Sequence, residues 1–306
     1  MLRCDAGSVY RFGMDGDRAL ETALAPMTAA PRHQRARGRA RTAFRQDQAA
    51  GVTRLSDLYQ SHPMRVLFPR PAKGDPITAV LATVSGGIAG GDRIEIEIDG
   101  GDGTESLVLA QAAEKIYRAP DPDPARIAFH LQAGPGAGVE YLPQETILFD
   151  GARLHRETVV DIAAADGRVL TGEIAVFGRG AMGETVRDCA FRETWRVRIA
   201  GRTVWRDAFA LTPDARESRF GLNGADAMGT IVCAAGDLAT LRDALRPHLP
   251  PSDAVTAAVG CVGPLLLVRF LGRDPAALRK AYYDTWSRLR QVALHRPARL
   301  PALIHC

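Results

Sequence analysis

The sequence predicts a mainly β chain with two α-helices in its C-terminal half, and three features point there. Glycine (30 residues) and proline (19) are plentiful among 306 residues, a supply of turn formers that favours many short strands. Arg93-Ile94-Glu95-Ile96-Glu97-Ile98-Asp99 alternates strictly. Strand side chains have a period of two, so three isoleucines share one face and three acids the other. Helix-starting residues come late, at Asp237 and at Asp274-Pro275.

Similar apolar runs at 126–131, 158–162, 174–177, 195–199 and 203–209 are each bounded by Gly, Pro or Asp and read as further strands. Asp237 is placed to cap a helix over 238–249, and Asp274 one that opens on Pro275. In the latter, Leu278, Tyr282, Trp286, Leu289 and Ala293 step by three or four. That stripe is expected to pack on the sheet, with Arg279, Lys280, Arg288 and Arg290 facing outward. Ala-Pro-Asp-Pro-Asp-Pro at 119–124 reads as a stiff surface loop. No repeat of fixed period and no domain boundary is visible. Residues 1–306 are therefore expected to form a single domain, with 1–50 as a basic, less ordered N-terminal segment.

Composition is that of an ordinary globular protein, 46% hydrophobic and 24% charged, which argues against disorder and low complexity. A net charge of +4, from 39 basic and 35 acidic side chains, is too balanced for a nucleic-acid binder unless the basic groups cluster. One cluster exists: Arg32, His33, Arg35, Arg37, Arg39, Arg41 and Arg45, without aromatics for base stacking. A solvated basic strand or loop explains it best, with an acidic protein partner and nucleic acid as alternatives. The five cysteines, Cys4, Cys189, Cys233, Cys261 and Cys306, are scattered, odd in number and never CxxC. They support neither a disulfide framework nor a zinc ribbon, and a reducing, cytoplasmic setting is expected. The most apolar stretch, 262–271, is short and carries Arg269, so membrane spanning is not expected.

Ser85-Gly86-Gly87-Ile88-Ala89-Gly90-Gly91-Asp92 could admit an anion, but it lacks the Gly-Lys-Ser/Thr ending and runs into a strand. Glycines needed for backbone conformation are the simpler reading. No nucleophile elbow and no HExxH is present, and the histidines, His62 among them, are widely separated. The carboxylates say more. Glu145 and Asp150 lie in the apolar run Leu142-Pro143-Gln144-Glu145-Thr146-Ile147-Leu148-Phe149-Asp150-Gly151-Ala152, and Glu173 lies in a strand-like segment. A buried acid needs an arginine, a backbone donor or a cation. Ordinary ion pairs with Arg153, Arg156 or Arg179 are the rival explanation for them.

These segments resemble the UreD (UreH) family of urease accessory proteins. The blocks run in order through Tyr59-Gln60-Ser61-His62-Pro63-Met64-Arg65-Val66, the glycine-rich 85–92, and Ala112-Ala113-Glu114-Lys115-Ile116-Tyr117-Arg118. They continue through 140–152 and then Gly172-Glu173-Ile174, Gly178-Arg179 and Gly183-Glu184. Two departures stand out: Gly172 where the family carries a large aromatic, and a divergent tail at 297–306. The architecture expected is an elongated multi-stranded β scaffold, β-helix-like or of layered sheets. The resemblance implies a non-enzymatic scaffold that docks on apo-urease and recruits UreF and the GTPase UreG, with UreE as indirect nickel donor. It implies no tightly bound cofactor, only nickel in transit, past Glu145, Asp150 and Glu173, with Glu184 and His62 as further candidates. Oxygen ligands and single imidazoles suit release better than thiolate clusters. Lys115, Tyr117, Arg118 and Arg179 are the expected partner-binding residues. An enzyme using the glycine loop and Glu145 as base, or a basic-arm nucleic-acid binder, are the alternatives.

Overall fold

The computed structural model describes residues 35–250 and 253–305, all in the unit that begins at Arg35. Two hairpins open it: β1 (Arg37–Asp47) with β2 (Val52–Ser61), and β3 (Met64–Leu67) with β4 (Ile77–Thr83). The chain then crosses between two sheets. β5 (Arg93–Gly100) joins the first sheet, β6 (Glu105–Ala110) the second, and after the short β7 (Glu114–Ile116), β8 (Ala125–Ala133) rejoins the first. β9 (Gly138–Leu142), the short β10 (Glu145–Leu148) and β11 (Arg153–Ile162) repeat the cycle, and β12 (Arg168–Phe177) and β13 (Ala190–Ile199) begin it again.

β14 (Arg202–Leu211) folds back along β13, and α1 (Pro213–Glu217) follows. β15 (Ala227–Ala234), α2 (Leu238–Leu245), β16 (Val255–Val262), β17 (Leu265–Gly272) and α3 (Pro275–Leu294) complete the described elements longer than a single turn. The first sheet has the order β14-β13-β11-β8-β5-β1-β2, the second β16-β17-β15-β12-β9-β6-β4-β3. β1, β5, β8, β11 and β13 are parallel neighbours, as are β4, β6, β9 and β12. This is the β-helix-like alternative, with one strand per coil in each sheet and antiparallel strands at both ends.

β7 and β10 pair in parallel and continue onto β12, closing one corner of the coil. Their register explains the spaced sequence blocks. Ile88, Ile116, Leu148 and Phe177 follow one another as neighbours, one from each coil, and all are buried. The glycine loop is the first of these corners. Gly87 has φ +150°, and a Cβ there would lie 2.6 Å from the Tyr117 ring and 2.7 Å from the Lys115 carbonyl oxygen. The repeat is one of structure and not of residues, because each corner demands only one apolar side chain in register.

The strictly alternating strand is β5, with Ile94 and Ile98 buried and Glu95 and Glu97 ion-paired to Arg39 and Arg41 of β1. Three expectations need correction. Residues 37–47 of the segment expected to be less ordered form β1, whose Arg39 and Arg41 are neutralised by β5 and β2, Arg41 lying 3.2 Å from Asp57. Arg32 and His33 lie outside the described residues. Second, the stripe Leu278, Tyr282, Trp286, Leu289 and Ala293 of α3 is buried as expected, but Arg290 is buried with it. Its guanidinium reaches Asp75 and Glu140, so an inward arginine is tolerated because carboxylates await it. The helix expected over 238–249 ends at Leu245 and continues as one tighter turn, Arg246–His248, around Pro247, which has no N–H to extend an α-helix.

Candidate functional site

Between the two sheets lies a cavity of about 290 Å³ whose wall includes Glu114, Tyr141, Thr146, Arg156, Glu173 and Trp195. Strand alternation puts these side chains inside. In β12, Thr171 and Glu173 face the cavity, while Leu170 and Ile174 join the cluster under α3. In the first sheet, register aligns Ile94, Ile127, Arg156 and Glu193, so the inward row is apolar in two strands and charged in the next two.

Arg156 donates to Glu173 Oε2 through Nη1 and to the Thr146 hydroxyl through Nη2, the latter at 2.6 Å. Glu193 Oε1 is 3.9 Å from the same Nη1. Burial and, after it, the neighbouring Glu173 carboxylate push Glu193 well above the ordinary carboxylate range. Burial pulls the Arg156 guanidinium down, and Glu173 and Glu193 outweigh it, so the arginine stays charged. Glu114 accepts from the Thr83 hydroxyl at 2.5 Å, and burial raises its pKa. Burial likewise pushes Tyr141 up to about 12. Glu173 Oε1 and Arg156 Nε have no hydrogen-bond partner.

A second recess, about 520 Å³, opens beside Tyr117, Arg118, Phe149, Asp150, Arg179 and Glu184. Asp150 is held by the backbone N–H groups of Asp188 and Arg187 and by Arg118 Nη2 at 2.6 Å, and those contacts keep its carboxyl below the usual range. Arg179 donates twice to Glu184, at 3.0 Å each, which lowers Glu184 in turn, and its guanidinium lies 4.1 Å from the centre of the Phe149 ring. Tyr117 meets that ring edge-on at 5.0 Å and donates its hydroxyl to the Gly86 carbonyl at 2.7 Å. Gly86 and Lys115 border the inner cavity, so the two spaces adjoin across β7 and the glycine loop.

The structure thus gathers Tyr117, Arg118, Asp150, Arg179 and Glu184 into one recess and puts Glu173 and Lys115 on the cavity. It separates the others. Glu145 pairs in register with Ile174, on the opposite strand face from Glu173, and its Oε1 meets Arg279 Nε of α3 at 2.9 Å. His62 sits exposed in the turn from β2 to β3 and borders neither space. Every carboxylate singled out from the sequence carries an arginine, although for Glu145 and Asp150 it is Arg279 and Arg118 and not the ones expected. Arg156, Glu193 and Glu114 were missed as site residues. The runs 158–162 and 195–199, extended back along their own alternation, would have put Arg156 and Glu193 on the inner face.

Among the described residues no three His, Cys, Asp or Glu side chains come together as a metal cluster, and no helix is long and apolar enough to cross a membrane. The family model described as UreD urease accessory protein matches residues 36–304. Curated relatives include the urease accessory protein UreD of Magnetococcus marinus, 42% identical over 264 residues, 84% of this chain and 90% of the relative. UreD 1 of Bradyrhizobium sp. is 41% identical over 248 residues, covering 80% and 87%. UreD of Granulibacter bethesdensis is 41% identical over 241 residues, covering 78% and 99%. The matched region holds both sheets, the corner stack, the cavity and α3, and on that ground the chain belongs to the UreD family of urease accessory proteins.

Proposed function

We propose that the chain is a non-enzymatic scaffold of urease maturation in the cytoplasm, docking on apo-urease, recruiting UreF and through it UreG, and passing Ni²⁺ through the interior between its sheets. UreE acts upstream, as donor to the complex. The observation that carries this reading is the lining of the cavity. Carboxylate and hydroxyl oxygens of Glu173, Glu114, Thr83 and Thr146 line an interior that also holds Arg156, and hard oxygen ligands hold Ni²⁺ loosely enough to let it go. The adjoining recess, with Tyr117, Arg118 and Arg179 at its rim and Lys115 beside it, suits an acidic partner surface. Its arginines are already oriented by Asp150, Glu184 and the Phe149 ring, so little side-chain freedom is lost on docking.

Coexpression with urease subunits and UreF in cells lacking the native chain tests this reading. Recovery of urease activity together with a purified complex containing the chain supports it. Full urease activation without the chain, or turnover of a small substrate by the chain alone, contradicts it.

A further inference from the structure

We propose that Glu173 and Glu193 form a two-carboxylate station for a divalent cation inside the coil, with the Arg156 guanidinium occupying the cation's place while the station is empty. The proposal rests on the conduit reading above and adds to it a second carboxylate and a gate.

The side chains of Arg156, Glu173 and Glu193 are only 9%, 6% and 3% exposed, yet the cluster is under-satisfied. Glu173 Oε1, Glu193 Oε1 and Arg156 Nε all lack hydrogen-bond partners, whereas buried polar atoms are nearly always paired. One guanidinium balances one carboxylate, with Glu193 held protonated beside it, whereas a divalent cation would balance both carboxylates on displacing that proton. Nη1 already contacts Glu173 Oε2 and lies 3.9 Å from Glu193 Oε1, which puts positive charge where such an ion would sit. Thr146, which now accepts from Nη2, would offer a third oxygen once the arginine withdraws. Arg156, Thr146 and Glu173 all border the 290 Å³ cavity, so the arginine has space to move into. Stability does not require the arrangement, since apolar residues of similar volume commonly replace buried ion pairs without loss.

The experiment is titration of the full-length chain with Ni²⁺. The wild type should bind weakly, with Kd about 1 μM or looser, and Arg156→Met should tighten binding at one site by about tenfold or more. Adding Glu173→Gln or Glu193→Gln to Arg156→Met should return it to the wild-type level, whereas Glu145→Gln should not. Unchanged affinity in folded Arg156→Met, or a gain that survives both amides, overturns the proposal. Should Arg156→Met fold only with metal, Ni²⁺ must restore its folding, and absence of rescue counts equally against the station. A failed titration series alongside reduced nickel in urease matured with Glu173→Gln would sink the station and leave the conduit standing.

Discussion

Arg290 Nε lies 2.7 Å from Glu140 Oε1, and neither side chain is exposed to solvent. The Nε–H is not aligned on an acceptor, so this contact is an ion pair. Hydrogen bonds come from the other donors: Nη2 to Asp75 at 2.8 Å, and Nη1 to the carbonyls of Pro297 and Arg299. Glu140 also accepts from Trp286 Nε1 and Arg296 Nη1, at 2.8 and 2.7 Å. One buried network therefore fastens α3 and the segment after it to β9.

Arg290→Ala removes the guanidinium shared by two buried carboxylates, leaving Glu140 to Trp286 and Arg296 and Asp75 to Arg299, and should destabilise the fold by about 3 kcal/mol. Arg288→Ala, on the exposed side of the same helix, should stay within about 0.5 kcal/mol. Urea unfolding followed by circular dichroism compares the two, and equal effects would refute the network's role.

Gly172 is fixed by a close approach. A Cβ there would lie 2.3 Å from both the Thr230 carbonyl oxygen and the Tyr282 hydroxyl. The Tyr282 hydroxyl fills the space that a larger side chain would need. Gly172→Ala should cost about 1–3 kcal/mol or more. Tyr282→Phe should recover only part of that loss, because the Thr230 carbonyl remains. Full recovery in the urea midpoint of the double variant would show the carbonyl contact to be unimportant.

The β class, the β5 alternation and both long helices were legible because each rests on local periodicity or a cap. The coil was expected only as one of two architectures, β-helix-like or layered sheets, since its corner stack needs only Ile88, Ile116, Leu148 and Phe177 in register, and no spacing rule announces that. The inward charges were hidden for a related reason. Arg156 and Glu193 sit at positions where alternation calls for apolar residues, and their fitness depends on Glu173 arriving from the opposite sheet. Arg290 was misread in the same way, because its partners Asp75 and Glu140 are distant in sequence.

Thiol reactivity should follow burial. Cys233 is buried, Cys189 half-buried and Cys261 exposed, and burial pushes the Cys233 and Cys189 thiols up to about 12. At about pH 8 the first two hold almost no thiolate. Iodoacetamide followed by peptide mass spectrometry should label Cys261 in the native protein, and Cys189 and Cys233 only after unfolding. Prompt native labelling of Cys233 would contradict its place under α2 and α3.

Glu193 gives the pH dependence a sign. Its folded-state pKa lies above the ordinary 4.5, so the folded chain keeps a proton that the unfolded chain releases. The stabilisation is complete below the ordinary value and is lost as pH rises through the raised one. Glu193→Gln, permanently neutral, should lack that decline, and its stability relative to wild type should increase from about pH 5 upward. Parallel urea midpoints for the two proteins across that range would exclude the shift.

Passage of nickel through the interior is measured most directly as nickel per urease active site in purified complexes of matched stoichiometry. Glu114→Gln removes a cavity charge that has no arginine to strand, and Glu173→Gln removes the carboxylate beside Arg156. With UreF and urease still co-purifying, both variants should yield urease with less nickel and proportionately less activity. Normal nickel loading in both would contradict a path between the sheets.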